Sequence, residues 1–171
     1  AQQIHTLLYH LTTKQPPPFA VLFWSNLQKI EFDYSAQSIA GLSRFFAALS
    51  QHNCQLADVL AKKGGQALVL TVAAYIADYL ATATGQTIEW YDYTAMCEEV
   101  ARQNARHHTY LQLPASFENS LTARIGQKVY CQPLKLLPSL LNGEEVLSPF
   151  IAEMTQTIHQ QTQVNLLQAP D

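Results

Sequence analysis

One carboxylate inside an otherwise apolar run is the residue of this chain with the most chemical leverage. Asp78 lies within Ala67 to Ala83, a stretch built mainly from alanine and β-branched residues. A carboxylate in such surroundings must be hydrogen-bonded, paired or turned to solvent. Tyr75 shares its face on a helix, and Trp90 follows on the next expected strand, so Tyr75, Asp78 and Trp90 are the candidate binding residues, placed to line a pocket floor. The structural alternative is preferred: Asp78 bonds a backbone donor or an arginine such as Arg124 and pins the helix. A lone buried acid without a second catalytic group is a weak sign of an active site.

Other chemistries lack their patterns. Gly41-Leu42-Ser43 has no second glycine to make a nucleophile elbow, and it falls within a helical pattern. Neither phosphate-cradling glycine motif is present, which argues against nucleotide hydrolysis. His107-His108 is the only paired imidazole, but adjacent side chains point to different sides of a helix or strand. Zinc sites use helical or short Cys/His spacings, so a site joining this pair to Cys97 or Cys131 is a minor possibility beside a solvent-facing loop. His5, His10, His52 and His159 read as surface or helix-end residues. Glu98-Glu99 and Glu144-Glu145 sit near expected helix starts, where the helix dipole alone explains them. No catalytic residue, metal ligand or cofactor is assigned.

Composition narrows the partners. Charged residues make up only 13% of the chain against 48% hydrophobic ones, and the formal net charge is -3. Phosphate binding needs clustered Lys and Arg, and Lys62-Lys63 and Arg102 to Arg106 are both short, so no nucleic-acid partner is expected. Glutamine supplies much of the polarity without a long-range field. Cys54, Cys97 and Cys131 are odd in number and widely spaced, the usage of reduced thiols in a cytosol. No charged segment leading into an apolar one opens the chain, so no signal peptide is expected; since it opens on Ala1 without Met, an earlier segment stays open. Ala67 to Ala83 is short for a membrane span and holds Asp78, so it is read as a buried helix and no membrane association is expected.

The elements that would carry these residues follow from periodicity. Ile4, Leu7, Leu8 and Leu11 give Gln2 to Thr13 one apolar stripe, and Pro16-Pro17-Pro18 ends it. Phe19 to Ile30 is ambiguous. Ser35 is the natural cap of a helix carrying Ile39, Leu42, Phe46 and Leu49. Gly64-Gly65 leads into the apolar helix from about Gln66 to Thr84, which Gly85 closes. Thr87 to Tyr91 alternates as a strand does. Thr94 is the expected cap of a helix through about Arg106, with Met96, Val100 and Cys97 inward. Thr109 to Leu113 and Leu121 to Cys131 read as two more strands, joined by Pro114 to Ser120. Pro133 to Leu141 reads as a helix stopping at Asn142-Gly143. Ser148 with Pro149 then opens a last helix with Phe150, Ile151, Met154 and Ile158 inward, and the tail from Gln160 is expected to be loose.

No composition break or internal repeat divides the sequence, and 171 residues can bury roughly 70% of the unfolded chain's surface as one domain. Helices first and strands later predict a single α+β domain over residues 1–171, with a small antiparallel sheet in the second half and a C-terminal helix packed back.

Several short motifs, Asp33-Tyr34-Ser35 with Ser38-Ile39, Ala74-Tyr75-Ile76-Ala77-Asp78 before Gly85 and Trp90, and Pro133 with Asn142-Gly143-Glu144-Glu145, resemble a loose family of uncharacterised bacterial proteins over roughly Asp33 to Phe150. In that family the middle motif is nearer Gly-Tyr-Leu-Gly-Glu; here alanines stand for both glycines and Asp78 for the glutamate. The resemblance implies a bacterial, cytosolic setting and no particular activity.

The leading expectation is a non-enzymatic interaction protein, an adaptor, regulatory or immunity-type module with a protein partner. Its candidate interface anchors are the aromatics Trp24, Tyr91 and Tyr93. The alternative is a small-molecule binder or unfamiliar enzyme with a pocket near Tyr75, Asp78 and Trp90.

Overall fold

The structure is a computed structural model and describes residues 2–168. Eleven regular elements run in the order α1 (Gln2–Thr13), α2 (Trp24–Leu27), α3 (Ala36–Ser50), α4 (Leu56–Ala61), α5 (Gly65–Thr84), β1 (Ile88–Tyr91), α6 (Tyr93–His107), β2 (Thr122–Ile125), β3 (Val129–Cys131), α7 (Leu137–Leu141) and α8 (Leu147–Gln168). Short 3₁₀ turns at Phe117–Asn119 and Pro133–Leu136 complete it. The architecture is α+β: helices dominate, and one antiparallel sheet of order β1-β2-β3 occupies the second half.

α5 is the axis of the fold because it is apolar on nearly every side. Thirteen of its 20 residues are buried, and it packs against α1, α4, α8, β2 and the Pro133–Leu136 turn. Its mean hydropathy of 1.5 suffices by length and composition for a membrane span, yet 61% of that stretch is buried inside the fold. Gly85 closes it in the left-handed conformation, φ 67°, as glycine readily does.

Directly opposed residues in a sheet share a face. Ile88↔Ile125↔Val129 and Trp90↔Ala123↔Cys131 therefore face inward, where they meet Ala77, Leu80 and Ala81 of α5 and Ile158 of α8. Glu89↔Arg124↔Tyr130 lie on the other face, which α6 approaches through Gln103 and Glu99. Trp90, Phe150 and Ile151 also touch the larger core cluster around α1, α3 and α5, and so join the two.

Local chemistry moved several boundaries. Ser35 caps α3 as expected, its hydroxyl accepting from the Ser38 amide at 3.3 Å. The cap of α6 is Asp92 rather than Thr94; its carboxylate takes the Ala95 amide at 2.8 Å, where the helix dipole favours negative charge. The ambiguous Phe19 to Ile30 holds only the single turn α2. Leu121 to Cys131 is two strands instead of one, because Gly126 at φ 67° turns the chain between Ile125 and Val129. Thr109 to Leu113 joins no sheet, since its polar groups bond to side chains of α6. Pro114 to Ser120 accordingly connects that segment to β2 and is not a hairpin loop.

Pro133 to Leu141 splits into a 3₁₀ turn and α7, with Pro138 in the first turn of α7. Ser148 is the second residue of α8 rather than its cap, and Pro149 sits in the first turn, where a missing N–H costs nothing. That helix runs on to Gln168 instead of loosening at Gln160. Residues 169–171 of the tail lie outside the described residues.

Candidate functional site

Asp78 is held by a residue whose sequence context pointed only to a capping motif. Tyr34 precedes the cap Ser35 and adopts φ 62°, a left-handed conformation that costs a bulky residue energy. In that pose its amide donates to the Tyr75 hydroxyl at 2.9 Å and its own hydroxyl donates to Asp78 Oδ2 at 2.5 Å. The Tyr75 hydroxyl in turn donates to Ser38 Oγ at 2.7 Å. Ser38 Oγ donates to the Ser35 carbonyl at 2.6 Å. The rings of Tyr34 and Tyr75 stack at 5.2 Å, and Phe32 meets Tyr75 edge-on at 4.8 Å.

The structure thus brings Tyr75 and Asp78 together through Tyr34, and the three tie the start of α3 to the middle of α5. Burial, then the hydrogen bond to Asp78, raises the Tyr34 pKa; burial raises that of Tyr75. Trp90 takes no part in this hydrogen-bonded group. It stands on the inner face of β1, half-buried, with an enclosed Nε1 that has no partner. Arg124, the arginine expected for Asp78, is on the opposite face of the sheet and pairs with Glu89. What this cluster can do chemically is hold two helices in register.

A different kind of surface surrounds α6. This helix is amphipathic, yet only Met96 of its 15 residues is buried. Its apolar residues line two adjoining clefts instead. Tyr93, Cys97, Val100 and Ala101 form one of about 380 Å³, closed by Leu111 and Leu113. Met96 and Leu113 belong to the second, of about 450 Å³, together with Leu136, Phe150, Met154 and Lys135. Leu113 is common to both walls.

The strand-like segment after α6 is fixed in place by its hydrogen bonds. Asn104 Nδ2 donates to the Leu111 carbonyl at 2.8 Å, and Asn104 Oδ1 accepts from the Leu111 amide at 3.1 Å and the Thr109 hydroxyl at 2.8 Å. The Tyr93 hydroxyl donates to the Leu113 carbonyl at 2.9 Å. Held this way, Tyr110 is 94% and Leu111 69% exposed. These two residues carry the largest apolar exposure in the described chain. Sequence reasoning missed them because the alternation of Thr109 to Leu113 suggested sheet pairing, which would have buried one face.

The aromatics expected as interface anchors are otherwise engaged. Tyr91 is buried, and Trp24 is half-buried against the core with its Nε1 enclosed and unpartnered. The Tyr93 hydroxyl holds the exposed segment. His107 ends α6 and His108 follows in a left-handed conformation, both exposed. Among the described residues no three His, Cys, Asp or Glu side chains converge as metal ligands. Burial pushes the Cys131 thiol up to about 12.

A third cleft, about 630 Å³ between α3, α7 and the start of α8, has mixed charge in its walls, with Arg44, Glu144 and Glu145 around Phe46 and Leu140. No family model, curated protein or solved structure matches this chain.

Proposed function

We propose that this chain is a non-enzymatic interaction protein, an adaptor, regulatory or immunity-type module, and that it docks a protein partner through α6 and the segment Thr109 to Leu113. The observation that carries the reading is the exposure of Tyr110 and Leu111 on a hydrogen-bonded segment that also lines two apolar clefts. Exposed apolar side chains next to open apolar walls are the usual marks of a binding surface. Fixing the segment in advance lowers the ordering cost of association. The net charge of -3 favours a protein over nucleic acid, and free Cys54, Cys97 and Cys131 fit the proposed bacterial cytosol.

The rival reading, a small-molecule binder or enzyme at Tyr75, Asp78 and Trp90, draws on the half-buried position of Asp78 and the unpartnered Trp90 Nε1. The geometry supports it less, because the proton of each tyrosine hydroxyl in the cluster is already committed. The five clefts of the described residues that stand out have other walls.

Affinity capture with the wild-type chain and with Tyr110→Ser/Leu111→Ser separates the two. The interaction reading expects a stoichiometric protein partner that the double variant loses while keeping its circular dichroism spectrum and Tm. Equal capture by both proteins, or none by either, sinks it. Trp24 is unsuited to this test, since its truncation would disturb the packing beneath it.

A further inference from the structure

We infer that the cleft between α3, α7 and the start of α8 binds a short apolar peptide by its two free ends, the carboxylate at Arg44 and the ammonium at Glu144 and Glu145. The ground is where a chain with only 13% charged residues puts them. Arg44 is the one charged residue of α3, and Glu144 and Glu145 are the only ones between Lys135 and Glu153. All three line this cleft of about 630 Å³. All three are exposed, and none makes an ion pair among the described residues. The cleft shares no lining residue with the two beside α6, so the inference goes beyond the docking reading and does not depend on it.

Packing keeps the cleft open and its charges apart. Ala40, Ser43 and Ala47 give the α3 wall short side chains, and the buried Phe46, Leu140 and Leu147 make an apolar floor. The opposite wall comes up to α3 at Gly143, which turns at φ 80° and where a Cβ would lie 2.7 Å from Ser50 Oγ. Ser50 is six residues beyond Arg44, about 9 Å along the helix axis. The chain passes from Gly143 straight into Glu144 and Glu145, so the acidic wall begins beside that contact and Arg44 is set back from it along α3. The dipole of α8 favours acidic residues before its first turn. It does not account for an unpaired arginine in the other wall.

Charge and span choose the occupant. A simple anion is repelled by Glu144 and Glu145 and a simple cation by Arg44, so a ligand that gains from both walls carries both signs. A free amino acid holds its ammonium and its carboxylate on one carbon, too close together to reach both walls. At about 3.5 Å per residue, a tripeptide spans about 10 Å and does reach. Its apolar side chains then cover the floor, and the cleft has the volume that small ligands fill.

The test is a heteronuclear NMR titration of the intact protein with the tripeptides Ala-Leu-Ala and Ala-Phe-Ala, each also N-acetylated or C-amidated, and with free leucine for comparison. The expected result is saturable shifts at the amides around Ala40 to Ala47 and Gly143 to Ser148. Capping either end should weaken binding about fivefold, the scale of an exposed ion pair. Arg44→Gln should weaken the free and N-acetylated peptides and leave the C-amidated ones unchanged. Glu144→Gln/Glu145→Gln should weaken the free and C-amidated peptides and leave the N-acetylated ones unchanged. These side chains are exposed, so the circular dichroism spectra of the variants should stay native. Substitutions that weaken every form alike reveal a structural role and overturn the inference. Equal binding of capped and free peptides, or no shifts at the cleft, overturns it too. Leucine binding as tightly as the tripeptides would assign the cleft to an amino acid and overturn the peptide.

Discussion

α5 and α6 are both helices with apolar residues at helical spacing, but the fold uses them oppositely. α5 buries thirteen of 20 residues and touches most of the molecule. α6 buries one of 15 and leaves Tyr93, Cys97 and Val100 lining an open cleft. The polar groups differ in the same sense. Around α5 they lock elements together, as Tyr34, Asp78, Tyr75 and Ser38 do. Beside α6 they hold Tyr110 and Leu111 outward. Packing is concentrated in one region and exposed apolar surface in the other, so substitutions in the two should have different consequences.

The sharpest break on the α5 side is at its entry. Gly64 turns the chain at φ 79°, and a Cβ on Gly65 would fall inside the Val59 carbonyl. Backbone cannot yield as a flexible side chain can, so Gly65→Ala must force α4 and α5 apart. We expect a loss of about 3 kcal/mol or more, read as a large drop in Tm or as insoluble protein. A normal Tm would show that the turn into α5 is looser than its geometry states.

That entry was legible in the sequence as the Gly64-Gly65 pair, just as Ser35, Gly85 and the alternation before Tyr91 announced their elements. These signals are local: a cap, a left-handed turn and a period of two each act over a few residues. Asp78 was legible as a problem but not in its solution. Its partner Tyr34 is 44 residues away, and no periodicity encodes a pairing at that distance. The segment after α6 misled for a related reason. Alternation records a pattern of exposure, but whether the backbone pairs in a sheet depends on a competing partner, and Asn104 supplied one.

The Tyr34 lock gives an intermediate effect. Tyr34→Phe keeps the ring stack and the backbone pose but removes the hydroxyl that donates to Asp78. A hydrogen bond to a charged acceptor at this half-buried site is worth about 1 to 2 kcal/mol, to be read from urea unfolding at neutral pH. The same residue adds an alkaline signature. Its folded pKa lies above the ordinary 10.0, so the neutral hydroxyl's contribution is complete below that value. As pH rises past it, the unfolded chain ionises first and stability falls. Wild type should lose stability above about pH 10 more steeply than Tyr34→Phe. Parallel pH profiles would mean that neither burial nor the bond to Asp78 holds the hydroxyl neutral in the folded state.

The smallest effect belongs to the α6 side, and its smallness carries the information. Val100 lies half-buried in the open wall of its cleft, so Val100→Ala leaves no sealed cavity behind. Alanine is also the better helix former, by up to about 0.7 kcal/mol, which offsets the slight loosening of the wall. The stability change should stay within about 0.5 kcal/mol of zero. On the proposed docking reading, an apolar residue on a helix face whose shortening costs the fold little serves contact with the partner instead. A protein captured by the wild-type chain should therefore bind Val100→Ala more weakly although its Tm is unchanged. If Val100→Ala instead costs as much as a core truncation, α6 is part of the packed interior after all, and the contrast with α5 disappears.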